Sequence, residues 1–194
     1  MINKVGVIGA GQMGNGIAHV TAVAGMDVIL SDVSLEQASK GKAVIEKNLG
    51  RQVAKGQITP EQSDEILERI SLADNLKSLS DCDLVIEAAT ENESVKVAIF
   101  KELCKTLNKD ALIASNTSSI SITRLASNTD RPDRFMGVHF MNPVPIMKLV
   151  ELISGIATSE ETFKSLHNYT DRLDKITATA EDFPGFIVNR ILMP

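Results

Sequence analysis

The stretch "KVGVIGAGQMGNGIAHVTAVAGMDVILSD", Lys4 to Asp32, decides the fold. It opens as an apolar run, turns through Gly9-x-Gly11-x-x-Gly14, takes a helical pattern over Gln12–Ala24 and ends in a second apolar run. Gly9 permits a tight turn, Gly11 lets backbone approach a pyrophosphate, and Gly14 allows close helix–strand packing. Gln12 and Met13 begin the helix, whose free N–H groups and partial positive charge suit phosphate. Asp32 closes the second strand, roughly 20 residues on, as a dinucleotide-binding unit requires. There it accepts hydrogen bonds from ribose hydroxyls and repels a 2′-phosphate, which favours NAD over NADP. The other reading of Asp32 is a carboxylate that caps the next helix.

Val5 to Met26 carries no formal charge and resembles a signal or membrane segment at first sight. Gln12, Asn15, His19 and the glycines make it too polar and too flexible for a bilayer helix of about 20 apolar residues. Outward from it, the 194 residues suffice for one sizeable core, with 43% hydrophobic and 23% charged residues. A net charge of −5 argues against nucleic acid as a partner. Cys82 and Cys104 form no CxxC and are too few for a disulfide framework, so they read as reduced packing residues in a cytoplasmic setting. No metal-ligand spacing is visible, and a metal site is not expected.

Further strand signals follow in "DLVIEA" from Asp83, "ALIAS" from Ala111, "RFMGVHF" from Arg134 and "MKLVELI" from Met147. Near-continuous apolar runs suit parallel strands covered on both faces. Helical patterns over Val95–Leu107 and Glu160–Leu173 alternate with them. The expected fold is α/β: a doubly wound, mostly parallel sheet of Rossmann type with an antiparallel extension. Residues 34–69 hold two helical stretches split by "KGQITPEQ", where Thr59, Pro60 and Gln62 have capping-box spacing. They read as a projecting helical hairpin. It is either a solvated decoration or a basic arm, through Arg51 and Lys55, for a large anionic ligand.

His139 ends one apolar run and Glu151 lies inside the next, with "NPVP" between them. If the second strand folds back antiparallel, Glu151 reaches the imidazole. A carboxylate on one ring nitrogen fixes the tautomer and leaves the other for a proton. The alternative is a satisfied core histidine with a surface glutamate. His19 and His167 lack such a setting.

"GAGQMGNGIA", "DLVIEA", "ASNTSSISIT", "HFMNPVPIMKLVELI" and "FPGFIVNRIL" together resemble the L-3-hydroxyacyl-CoA dehydrogenase family, closest to its bacterial 3-hydroxybutyryl-CoA members. The resemblance spans the chain with five motifs in order. It implies NAD as cofactor, an acyl-CoA as substrate, and His139 as general acid/base with Glu151 as its orienting partner. Ser118 and Asn189 would hold the substrate's 3-oxygen. Glu91, Lys96, Asn116, Ser118 and Asn142 match family positions around the cofactor, and Lys55 a position contacting CoA. Residues 1–182 would form the cofactor domain. Residues 183–194 would begin an all-helical domain through which family members dimerise, and the chain reads as truncated within it. A dinucleotide-binding module with little turnover, and a dehydrogenase of other hydroxy acids, are the remaining functional readings.

Overall fold

In the computed structural model, which describes residues 1–192, β1 (Lys4–Ile8), α1 (Gln12–Val23) and β2 (Asp27–Ser31) form the expected strand–helix–strand unit. Every residue of β1 from Val5 onward is buried, so the run is continuous because both faces of the strand are covered. The hairpin follows as α2 (Leu35–Ala54) and α3 (Pro60–Glu68). Ser34 caps α2 by accepting the Gln37 N–H, and Thr59 and Gln62 form a reciprocal capping box on α3. The hairpin is less detached than expected. Ala38, Gly41, Ile45 and Leu49 of α2 are buried in the core, while Arg51 and Lys55 lie exposed at the far end.

Two strands appear that the apolar pattern did not announce. β3 (Ile70–Ala73) takes the chain back from the hairpin and pairs parallel to β2 at the sheet edge. Then come β4 (Leu84–Glu87), α4 (Glu93–Leu103), β5 (Leu112–Ser115), α5 (Ile122–Ala126) and β6 (Phe135–Phe140). β7 (Leu149–Ser154), α6 (Glu160–Arg172), β8 (Ile176–Glu181) and α7 (Val188–Leu192) complete the order. β8 is the second unannounced strand, and it pairs parallel to β7 at the opposite edge.

The eight strands lie in the order β3-β2-β1-β4-β5-β6-β7-β8, and only β6 and β7 are antiparallel to each other. The strand order reverses beside β1, which has β2 on one side and β4 on the other. In such sheets the crevice outside the carboxyl ends of the strands at this point receives the ligand. One core packs on each face of the sheet, with Ile17, Leu49 and Tyr169 in the first and Phe100, Leu125 and Phe135 in the second. No helix among the described residues is long and apolar enough to cross a membrane. Met193 and Pro194 lie outside the described residues.

Candidate active site

The glycine turn is tightly built on one side and open on the other. Gly9 has φ +96°, and a Cβ there would lie 2.6 Å from Ala89 Cα. A Cβ on Gly14 would sit 1.7 Å from the Gly9 carbonyl oxygen, so α1 packs directly beneath the turn. A Cβ on Gly11 would meet nothing within 4 Å. That open side is where backbone can approach a ligand. Gly11 also caps α1 without a side-chain hydrogen bond, leaving first-turn N–H groups for a phosphate.

Asp32 fastens this turn to β2. Its Oδ2 accepts the Ala10 N–H at 2.6 Å and its Oδ1 the Val33 N–H at 2.7 Å. Ser34, not Asp32, caps the next helix, so the capping alternative for Asp32 falls away. A cleft of about 1010 Å3 passes Gly11, Gln12 and Asp32 and continues to an apolar wall of Val44, Leu76 and Val95. Donors at a glycine turn, a carboxylate beyond it and an apolar slot for a base are what a dinucleotide needs. The residues fit NAD.

A smaller cavity, of about 370 Å3, adjoins the cleft and shares Ala89, Thr90 and Asn142 with it. His139 lines it, and His139 Nδ1 lies 2.6 Å from Glu151 Oε2, both residues buried. The contact follows from register: the two residues are direct partners across β6 and β7. Glu151 Oε1 accepts the N–H groups of Ile187 at 2.9 Å and Val188 at 2.8 Å, holding the start of α7. With Nδ1 engaged, Nε2 is the nitrogen left for proton exchange.

Glu91 and Ser118 also line this cavity, in a hydroxyl-rich turn gathered by Glu91. Its Oε1 accepts Thr117 Oγ1 at 2.7 Å, Ser118 N–H at 2.8 Å and Ser118 Oγ at 2.9 Å. Burial pushes the Glu91 carboxyl up, but these hydrogen bonds and the Lys96 ammonium outweigh it and hold the group below its usual range. Asn189 Nδ2 donates to the Ser118 carbonyl at 2.8 Å. Asn116 Oδ1 accepts the Phe140 N–H at 2.9 Å and so ties the end of β5 to the end of β6 beside His139.

The family described as "3-hydroxyacyl-CoA dehydrogenase, NAD binding domain" matches residues 4–183. The chain belongs to this family. It is 60% identical over 194 residues to a 3-hydroxybutyryl-CoA dehydrogenase of Bradyrhizobium diazoefficiens, covering 100% of this chain and 66% of that protein. A probable 3-hydroxybutyryl-CoA dehydrogenase of Deinococcus radiodurans is 49% identical over 191 residues, covering 98% of this chain and 68% of that one. The crystal structure of (S)-3-hydroxybutyryl-CoA dehydrogenase from Ralstonia eutropha superimposes with a TM-score of 0.97 at 46% identity, over 99% of this chain and 68% of that one. This chain thus spans about two thirds of the length of these relatives.

As an NAD-binding domain of the 3-hydroxyacyl-CoA dehydrogenases, the chain brings most of the expected residues together. Gly9, Gly11, Gln12 and Asp32 line the cleft; Met13, Glu91, Lys96, Asn116, Ser118, His139 and Asn189 line the adjoining cavity; Asn142 lines both. Gly14 packs beneath the turn, and Glu151 reaches the cavity through His139. Arg51 and Lys55 are not brought there; they stay exposed on the hairpin, outside the lining of either space. Two residues escaped the sequence reading. Glu87, fully buried, accepts from Lys96 Nζ at 2.5 Å and from Ser115 Oγ at 2.8 Å. Asp182 accepts the Ile122 and Thr123 N–H groups, each at 2.8 Å, and so pins the segment before α7 to α5. The signal for Glu87 was available: a carboxylate inside an apolar strand, as with Glu151.

Proposed function

We propose that this protein carries out the NAD-dependent interconversion of (3S)-3-hydroxyacyl-CoA and 3-oxoacyl-CoA, with 3-hydroxybutyryl-CoA and acetoacetyl-CoA as the substrate pair. The carrying observation is the buried His139–Glu151 pair in a cavity that adjoins the dinucleotide cleft. When bound, NAD supplies the hydride acceptor for C3 of the hydroxyacyl group, and NADH the donor in reverse. His139 takes the hydroxyl proton on Nε2 during oxidation and returns it during reduction. Glu151 holds the ring in the right tautomer and stabilises the imidazolium. Ser118 Oγ and Asn189 Nδ2 are the polar donors for the 3-oxygen, and both now engage neighbours within the site. Asp32 selects NAD, and Arg51 and Lys55 offer positive charge on the hairpin to the CoA phosphates.

In this reading residues 1–182 form the cofactor domain, and 183 onward begin the next unit. The acyl-CoA is the partner, the setting is the cytoplasm, and the family-length protein is a homodimer. Calorimetry with NADH and an acetoacetyl-CoA reduction assay test the proposal. His139→Gln should leave NADH affinity unchanged and lower the rate by about 10²- to 10⁴-fold. Unchanged turnover in that variant would overturn the assignment of the acid/base.

A further inference from the structure

We propose that Glu87 is a positioning residue that keeps the inner end of the cofactor cleft at a net negative charge, and thereby favours the oxidised, cationic nicotinamide over the reduced, neutral one. The proposal rests on the reading of the cleft as the NAD site.

Glu87 ends β4 and is fully buried. Its Oε2 accepts from Lys96 Nζ at 2.5 Å and Ser115 Oγ at 2.8 Å, and its Oε1 accepts the Ala89 N–H at 2.8 Å. Lys96 is also buried, and its ammonium lies 3.8 Å from Glu91 Oε2. Lys96 and Glu91 line the smaller cavity, and Ala89 lines both spaces. Two carboxylates and one ammonium leave one net negative charge at the smaller cavity, tied through Glu87 to Ala89, which both spaces share. A buried ion pair is by itself weak evidence of a stabilising role. Replacing a buried ion pair with well-packed neutral groups is often neutral or stabilising, whereas a unit charge in a poorly solvated place acts strongly on its neighbours. Glu87 also sets where the ammonium rests. Held at 2.5 Å by Glu87, Lys96 leaves Glu91 Oε1 free to gather Thr117 and Ser118.

The two redox forms of the cofactor differ by one positive charge on the ring, so the ratio of their dissociation constants reads the local charge. A purely structural role for Glu87 would weaken both forms together and leave that ratio alone. Glu87→Gln keeps the size and an acceptor oxygen but brings the cluster to neutrality. NAD+ should then weaken relative to NADH by about threefold or more. Glu87→Gln with Lys96→Met returns the net charge to its starting value, and the ratio should return to within about twofold of the unsubstituted protein. Both constants are measured by calorimetry on the full chain, with folding checked by circular dichroism. If Glu87→Gln does not fold, Glu91→Gln at the half-exposed member of the cluster makes the same change in charge and replaces it. An unchanged ratio in the folded single variant overturns the proposal. A ratio that shifts but does not return in the double variant overturns it as well. Failure of the unsubstituted protein to bind either form would instead overturn the assignment of the cleft, and this inference with it.

Discussion

Glu151 and Val188 stand 37 residues apart, yet the Glu151 Oε1 accepts the Val188 N–H at 2.8 Å while the other oxygen of the same carboxylate holds His139 at 2.6 Å. One side chain therefore holds the His139 ring, the acid/base of the proposed reaction, and anchors the helix that carries Asn189. An amide can keep its one oxygen on the backbone N–H groups. It then turns an NH2 donor toward Nδ1 and forces the other histidine tautomer, with the proton on Nε2. Glu151→Gln should therefore lower turnover at least about tenfold with NADH affinity unchanged, whereas Glu151→Ala, which has no acceptor, should also speed amide hydrogen exchange at 187–192. Glu151→Ala orphans all three partners and should cost on the order of 2–4 kcal/mol in chemical denaturation. His139→Gln should leave exchange at 187–192 untouched, which separates the two roles.

The glycine turn allows binding and folding to be separated. A methyl at Gly14 collides with the Gly9 carbonyl, so Gly14→Ala should destabilise the fold by about 1–3 kcal/mol or prevent it. A methyl at Gly11 meets open space, and its φ of −64° suits alanine. Gly11→Ala should keep its melting temperature and lose at least about tenfold in NADH affinity, because the methyl occupies the approach to the pyrophosphate. Equal NADH binding in that variant would place the dinucleotide elsewhere.

In the proposed site Asp32 selects the cofactor through charge as well as hydrogen bonding. NADH should bind more tightly than NADPH, since the 2′-phosphate would meet this carboxylate. Asp32→Ala should narrow the gap between the two. It should also weaken NADH somewhat, because the Ala10 N–H loses its acceptor at the glycine turn. Equal affinities for the two cofactors in the unsubstituted protein would remove Asp32 from this role.

His19, on the buried face of α1, makes the fold sensitive to acid. Burial, reinforced by the Lys175 ammonium, lowers its pKa to about 4 from 6.5, and its Nδ1 has no hydrogen-bond partner among the described residues. The folded state therefore keeps His19 neutral over a range in which the unfolded chain binds a proton. Stability from this group is complete above the unfolded value and falls as pH drops from about 6.5 to about 4, by on the order of 3 kcal/mol. His19→Leu should flatten that part of the pH–stability curve. A curve of unchanged slope would assign the acid sensitivity to other groups.

What the sequence revealed and concealed follows from burial. The interior strands β1, β2, β4 and β5 announced themselves because both faces are covered and the runs are continuous. β3 and β8 are edge strands. "ISLA" is only four residues long, and "ITATAE" alternates small polar and apolar residues over a largely exposed strand, so neither carries the apolar run that marks a central strand. The His139–Glu151 pairing was legible from the two strands and the short turn between them. Glu87 carries the same mark as Glu151, a carboxylate on an apolar strand, but its partners Lys96 and Ser115 lie on other elements, so no local pattern pairs it. Likewise the three donors to Asp182 sit about 60 residues earlier, beyond the reach of any local pattern.

Those separations also set an order of assembly. Asp32 and Ala10, which close the cofactor cradle, are 22 residues apart, whereas Ser118 and Asn189 are 71 apart and Ser121 and Asp182 are 61 apart. Contacts between distant residues carry the larger loop-closure cost and form later. A chain emerging from the ribosome from its N-terminus thus has the residues of the dinucleotide cradle long before it has Glu151 or Asn189. The capacity to hold a cofactor arrives first, and the capacity to move a proton waits for the last strands.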